Sequence, residues 1–215
     1  MSNEVYNIGG PNPNFADLNA IDSTVLTQGN NTVQIYPGTY TAPVNMVATD
    51  ISFKGMGDRD DVIILANSEL GFTFANTSSG TITFENVHLK GQDTVATGDP
   101  AGANTCVTKL GAASTPMHFR NCKFSHAEHA VLHNGEGAFC TTTDQIDMRY
   151  CEADVDKALV SNANITAMYS SFGYAANAYH TATSGYAALR VRTMLCGPNA
   201  AKAGTSAESI LATIA

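Results

Sequence analysis

Short stretches in which apolar and polar residues alternate recur along the chain, and each stretch changes phase once in its middle. The clearest one is Ile82-Thr-Phe84-Glu-Asn86-Val87-His-Leu89. Alternation with a period of two is typical of a β-strand that buries one face. A slip of one residue turns the following side chains to the opposite face unless the backbone bends there. Each stretch therefore predicts two short strands that meet at a sharp corner and face one core.

The copies of this unit align position by position. They begin at Val33, Ile51, Ile82, Met117, Ile146, Ile165 and Leu189. Gly55, Asn86 and Asn121 occupy the corner position, and these residue types tolerate a left-handed backbone. Shorter spacings fit one coil of a solenoid, and longer ones fit coils that carry loops. The pattern predicts an all-β fold, a single-stranded right-handed parallel β-helix. A β-sandwich is the alternative, because sandwiches also alternate strands with turns.

Stacking the copies predicts which side chains face the core and which face outward. The expected inward ladder contains Ile82, Phe84, Val87, Leu89, Phe119, Cys122, Phe124, Met148 and Cys151. One outward position holds Lys54, Glu85, Arg120, Arg149, Met168 and Arg192. Adjacent coils lie ~4.8 Å apart, so Arg120 and Arg149 need compensating acids or a bound anion. We expect either a salt-bridged face or a docking strip for an acidic polymer or partner, formed by Lys54, Arg120, Arg149 and Arg192.

The two ends of the chain follow different patterns. Asn14 with Asp17 after it is typical of a helix start. The apolar residues that follow share one helical face, namely Phe15, Leu18, Ile21 and Val25. Such a helix would cover the open end of the first coil. The sequence thus predicts a flexible arm at residues 1–14, a β-helix domain at residues 15–197 with a capping helix at residues 15–26, and a tail at residues 198–215 with a short helix from Ser206.

A family resemblance rests on the segment from Val33 to Leu65, VQIYPGTYTAPVNMVATDISFKGMGDRDDVIIL. It resembles the opening coils of pectin-lyase-like right-handed β-helices, in which a strand, a PGTY turn, a second strand and a G-x-G turn follow one another. The resemblance spans residues 15–197. It implies the fold and says very little about activity.

Composition narrows the functional classes. Charged residues make up 14% of the 215-residue chain, against ~25% in typical globular domains. The net charge of −8 argues against wrapping nucleic acid or anionic lipid. The amino terminus lacks the basic and apolar stretches of a signal peptide, and no run is long enough to span a membrane. The five cysteines lack CxxC spacing, which favours free thiols.

Candidate chemistry is sparse. Of the polygalacturonase motifs only a double aspartate, Asp60-Asp61, is present, and the pectate lyase R-x-P-x-x-R is missing. Pectin methylesterases need carboxylates and an arginine on neighbouring coils, which leaves that class open. Zinc ligation is conceivable for a segment rich in histidine, but strand geometry would scatter its ligands, which are His126, Glu128, His129 and His133. Cys122 stacked on Cys151 permits a disulfide, although packed free thiols are favoured.

Because no catalytic set is recognisable, we expect no enzyme activity, no metal and no cofactor. The chain resembles phage β-helix structural proteins in its short length, few charges and long Gly/Ser/Thr/Asn loops. We expect a capsid decoration or cement protein on a virion, assembled in the host cytoplasm. Its expected partners are two further copies of itself in a homotrimer, through an apolar face of Tyr36, Met168 and Leu195, and the major capsid protein or another shell protein. The alternatives are a tailspike-like polysaccharide-binding module and, less favoured, a polysaccharide lyase or esterase.

Overall fold

The computed structural model describes most of the amino-terminal half of the chain and separate segments of the remainder. The described residues are 3–68, 71–75, 77–92, 105–110, 115–127, 129–134, 145–154, 158–161, 164–172, 178–181, 189–196 and 212–214. Side chains are described within these ranges as far as residue 153, apart from residues 129, 132–134 and 145. The expected helix start at Ser206 and the residue Glu128 lie outside the described residues.

Nineteen strands lie within these residues, and the fold class is all-β, as predicted. They are β1 (Val5–Ile8), β2 (Asn31–Ile35), β3 (Gly38–Thr41), β4 (Thr49–Gly55), β5 (Val62–Leu65), β6 (Phe72–Phe74), β7 (Ser79–Glu85), β8 (His88–Lys90), β9 (Thr105–Leu110), β10 (Met117–Arg120), β11 (Lys123–Ser125), β12 (His129–Asn134), β13 (Gln145–Arg149), β14 (Glu152–Asp154), β15 (Ala158–Ser161), β16 (Asn164–Phe172), β17 (Ala178–Thr181), β18 (Leu189–Cys196) and β19 (Ala212–Ile214). The helices are α1 (Ser23–Thr27) and two 3₁₀ turns, Leu18–Ala20 and Arg59–Asp61.

The strands form three rows, and every pairing within them is parallel. The first row runs β1-β2-β4-β7-β10-β13-β16, and the second runs β3-β5-β8-β11-β14. Both rows belong to one sheet because the long strand β16 pairs with β13 and with β14. The third row is a separate sheet of five strands, β6-β9-β12-β15-β17. Parallel strands need crossover connections, so the chain visits the rows in turn rather than folding into hairpins.

Strand register confirms most of the predicted alignment. Ile82 pairs with Met117, and Phe84 pairs with Phe119. All nine residues of the predicted inward ladder are buried. Phe84 stacks between Phe53 and Phe119 with ring-centroid distances of 5.1 and 5.5 Å. The core is therefore built on a column of aromatic rings, one from each neighbouring strand.

The first copy of the unit begins two residues earlier than the sequence predicts. Asn31, not Val33, pairs with Ile51. Asn31 is polar yet buried, and its amide donates to the Val25 carbonyl oxygen at 2.7 Å while its Oδ1 accepts from the Glu4 N–H at 3.3 Å. Because a hydrogen-bonded asparagine occupies this inward position, hydrophobicity alone starts the pattern at the next inward residue.

The amino-terminal region differs from the predicted arm and helix. Residues 5–8 form β1 and pair with β2, since Ile8 is fully buried and extends the core. The helix does not run over residues 15–26. Asp17 accepts from the N–H groups of Asn19 and Ala20, and Asp22 caps α1 separately. Two aspartate caps thus divide the segment, although its predicted apolar residues Leu18, Ile21 and Val25 are buried.

The sequence pattern predicts neither a strand near the carboxyl terminus nor the third row. Ala212–Ile214 form strand β19 on β18, where the sequence predicts part of a helix. Alternation of apolar and polar residues does not reveal the third row, because five consecutive residues of β9 are buried, Thr105–Cys106–Val107–Thr108–Lys109. A strand covered on both faces shows no alternation.

Candidate functional site

The corner between the first and second rows is made by residues with a left-handed backbone. Asn86, Asn121 and Tyr150 have φ angles of 57°, 49° and 56°, which confirms the bend predicted at the phase slip for the two asparagines. Gly55 differs, because its φ is not in the left-handed region. A Cβ at Gly55 would lie 1.9 Å from the Asn86 carbonyl oxygen, so close approach of the backbone requires glycine there.

Hydrogen bonds link this corner from strand to strand. The Asn121 amide donates to Asn86 Oδ1 at 2.7 Å, and the Asn86 amide donates to the carbonyl oxygens of Gly57 at 2.8 Å and Gly55 at 3.2 Å. The Asn121 N–H donates to the Arg149 carbonyl oxygen at 2.9 Å. The corner is therefore a ladder in which Tyr150 occupies the position next to Asn121.

The 3₁₀ turn Arg59–Asp61 lies against β5 and β8 beside this corner. Asp58 begins the turn by accepting from the Asp60 N–H at 3.0 Å. Arg59 Nη2 donates to Glu152 Oε2 at 2.9 Å, and Asp60 Oδ1 lies 3.2 Å from Lys123 Nζ. Partial burial alone would raise the pKa of Asp60, but the Lys123 ammonium and the Arg59 guanidinium outweigh it and hold the pKa below its usual value.

A chain of three polar side chains lies on the outer side of the second row. His88 Nε2 and Ser125 Oγ are 2.7 Å apart, and the same hydroxyl is 2.8 Å from His126 Nδ1. Burial, reinforced by the Lys123 ammonium, lowers the pKa of His88 to about 4. His88 is therefore neutral at neutral pH.

The predicted outward strip is only partly a continuous column. Register aligns Lys54, Glu85, Arg120, Arg149 and Met168 on neighbouring strands. Irregular pairing of β16 with β18 sets Thr193, not Arg192, opposite Met168, so Arg192 leaves the column at a bulge. Most of the charges are internally paired: Lys54 Nζ lies 3.0 Å from Glu85 Oε1, and Arg149 Nη2 lies 3.0 Å from Asp147 Oδ2.

The residues of the predicted apolar face come from different parts of the fold. Met168 belongs to the column of Arg149 in the first row. Leu195 pairs with Ser171, which aligns with Glu152 in the second row. Tyr36 packs on the amino-terminal turn, where a Cβ at Gly10 would lie 2.5 Å from its ring. The side chains of Met168 and Leu195 lie outside those that the structure describes, so the shared face stays a prediction.

An open polar groove of about 470 Å³ lies where the turn meets the corner ladder. It is lined by Gly57, Asp58, Arg59, Asp60, Asn86 and Asn121. The sequence pattern places these residues in a turn and at corners separately and does not predict that they lie together. The signal that could have joined them is the alignment itself, since the turn follows Gly55 by a few residues and Gly55 aligns with Asn86.

Three buried thiols lie in the described core, Cys106, Cys122 and Cys151, and none of them is in a disulfide. Cys122 Sγ lies 3.4 Å from the Phe84 carbonyl oxygen, and Cys151 Sγ lies 3.4 Å from that of Phe119. Burial raises the pKa of Cys106 to about 12 and that of Cys122 well above its usual value. Burial alone would also raise the pKa of Cys151, but its hydrogen bond with Cys122 outweighs burial and lowers the pKa. All three are free thiols packed in the core, the arrangement that the sequence favours over a disulfide.

The candidate histidine cluster divides between two sheets. His126 follows β11 in the second row, whereas His129 and His133 belong to β12 in the third row. Within the residues that the structure describes, no group of three or more histidine, cysteine, aspartate or glutamate side chains is placed to hold a metal ion. The same part of the chain contains no helix that is long and apolar enough to cross a membrane.

No family model matches the sequence, and no curated protein matches it.

Proposed function

We propose that the chain is a right-handed parallel β-helix that serves as a structural component of a virion, a decoration or cement protein that binds the capsid shell as a homotrimer. The β-helix is supported by the order of pairing. β4, β5 and β6 follow one another along the chain, and each pairs with the strand three places later, β7, β8 and β9. A winding chain with three strands in each coil produces this order.

The observation that carries the structural role is the pairing of outward charges between different strands and turns. Lys54 pairs with Glu85, Arg59 with Glu152, and Lys123 with Asp60. A glycosidase or lyase needs carboxylates held in a substrate cleft with separate acid and base roles. Here Glu85, Glu152 and Asp60 each neutralise a lysine or an arginine, and this supports cohesion of the particle rather than catalysis.

Arg120 is the residue that we assign to shell binding. It belongs to the outward column, and in the part of the chain that the structure describes it forms no ion pair. Its neighbour Arg149 is held by Asp147, so among the described side chains of this strip Arg120 is the guanidinium that is available to an acidic surface on a shell protein. Rim charges of this kind act mainly on association rate and orientation.

Two measurements test the proposal. Light scattering at micromolar concentration should give the mass of a trimer, and the purified chain should co-sediment with assembled capsids. Arg120→Glu should reduce co-sedimentation, whereas Arg149→Gln on the adjacent strand serves as the matched control. A monomer that does not sediment with capsids would contradict the proposal.

The absence of catalysis is tested separately. A panel of acidic polysaccharides should show no lyase, hydrolase or esterase turnover. Turnover that is abolished by Asp60→Ala would overturn the structural role, because Asp60 would then be a catalytic residue rather than the partner of Lys123.

A further inference from the structure

The groove beside the asparagine corner presents hydrogen-bonding groups that the fold leaves unused. Arg59 Nε is buried and has no hydrogen-bond partner among the described residues, since the nearest acid, Asp60 Oδ1, is 3.8 Å away. The Asn121 side-chain amide donates its hydrogen bond to Asn86 Oδ1. The Oδ1 atom of Asn121 itself accepts no hydrogen bond from the described part of the chain. Asp58 uses Oδ1 to cap the turn, and its second oxygen remains an acceptor.

An exposed aromatic residue follows this corner on the next strand, beyond the residues that line the groove. Tyr150 is 61% exposed and occupies the ladder position adjacent to Asn121. Its φ of 56° is costly for a bulky side chain, and its counterparts on the two preceding strands of the ladder are asparagines. Strained residues of this kind concentrate at ligand sites. A tyrosine at a position better suited to asparagine or glycine is thus explained if the ring itself has a role.

We propose that this corner is a binding site for uncharged saccharides, formed by Arg59, Asp58, Asn121 and Tyr150. A sugar ring offers hydroxyl groups that both donate and accept, which matches a groove lined by a guanidinium and by carboxylate and amide oxygens. The face of a sugar ring that carries C–H groups packs on an aromatic ring such as that of Tyr150.

The charges and the lining select the class of ligand. Three carboxylates, those of Asp58, Asp60 and Glu152, face two cations. Arg59 is paired with Glu152 and Lys123 with Asp60, so an acidic glycan meets repulsion. No apolar side chain lines the groove, which disfavours the anchor residues of a peptide. An uncharged saccharide satisfies both conditions. The site does not depend on capsid binding, which the co-sedimentation experiment measures on its own.

The test uses the full chain on an array of neutral and acidic oligosaccharides, followed by saturation-transfer NMR with the neutral glycans that bind. Tyr150→Asn keeps a residue suited to the left-handed backbone but removes the ring, and it should weaken binding about tenfold or more. Tyr150→Phe keeps the ring and should retain binding. Asp58→Ala removes the acceptor and should also weaken it.

Circular dichroism and the urea midpoint of each variant show whether it is folded. The proposal is overturned if no neutral glycan binds above background, if acidic glycans bind in preference, or if folded Tyr150→Asn binds as well as the original chain.

Discussion

Arg59 and Glu152 are 93 residues apart in sequence, yet Arg59 Nη2 donates to Glu152 Oε2 at 2.9 Å. Arg59 lies in the turn before β5 and Glu152 lies in β14. Strands β8 and β11 lie between β5 and β14 in the second row. The Arg59 side chain is only 18% exposed. The ion pair therefore ties together parts of the sheet that have no hydrogen bonds in common.

This relationship is testable by a double-mutant cycle. The Arg59→Ala and Glu152→Ala substitutions should show a coupling free energy of about 0.5–1 kcal/mol in urea unfolding. The matched control is Lys54 with Glu85, in which both side chains are over 40% exposed. We expect a smaller coupling there because solvent screens that pair. A coupling of zero for Arg59 and Glu152 would contradict its role as a tie.

The aromatic column should dominate the stability of the core. Phe119 is fully buried and stacks on Phe84, so Phe119→Ala should lower the free energy of unfolding by about 3–5 kcal/mol. His118→Ala, on the adjacent outward position, should cost less than about 1 kcal/mol. Denaturant titration measures both. A loss for Phe119→Ala as small as that of its neighbour would show that the ring is not in the core.

Acid should destabilise the protein through His88. Its pKa is about 4 in the folded chain against 6.5 for an ordinary histidine, so between these pH values the unfolded chain binds more protons. The contribution to stability is complete above pH 6.5 and is lost as the pH falls towards 4. His88→Gln should flatten this dependence by about 1–3 kcal/mol, measured as urea unfolding at several pH values. Tyr150→Asn, which changes no histidine, should keep the original slope.

The corner ladder predicts opposite effects for two neighbouring positions. Tyr150→Asn relieves a strained backbone and should stabilise the protein by about 0.5–1 kcal/mol. Asn121→Ala places a Cβ residue without a bonding side chain at φ 49° and should cost about 1–2 kcal/mol. Thermal unfolding distinguishes the two signs. If Tyr150→Asn destabilised the chain, the tyrosine ring would have a packing role that outweighs its strain.

Buried thiols should be protected in the folded chain. Alkylation of Cys106, Cys122 and Cys151, followed by peptide mapping, should be slow in native buffer and rapid in denaturant, because all three thiols are buried away from the reagent and burial also raises the pKa of Cys106 and Cys122. Exposed cysteine in an added model peptide provides the reference rate. Recovery of a linked Cys122–Cys151 peptide from the native protein would show a disulfide instead.

The inward ladder was predictable because each member obeys a local rule. Phe84 and Phe119 alternate with polar neighbours, and Asn86 and Asn121 mark the bend by residue type. Asn31 does not follow this rule, because its buried side chain forms hydrogen bonds with the backbone of Val25 and Glu4. These two residues are not adjacent to it in sequence. Long-range hydrogen bonds of this kind leave no periodic signal.

The pattern of alternating residues could not predict the groove or the third row. Lys109 reads as an exposed charge, yet it is buried, and its ammonium donates to the Ala75 carbonyl oxygen at 3.0 Å and that of Leu110 at 2.7 Å. Arg59 likewise contacts Glu152 across two intervening strands. The sequence indicates strands and corners, whereas the pairing of distant charges follows from the order in which the rows stack.

The turn after β1 limits where a further strand can join the sheet. Asn7 donates its N–H to Asn14 Oδ1 at 2.7 Å, and its carbonyl oxygen accepts from the N–H groups of Asn14 and Phe15. A strand from another molecule would have to break these bonds before it could extend the first row. At Asn7 the amino-terminal edge is thus closed to the edge-to-edge pairing that builds fibrils.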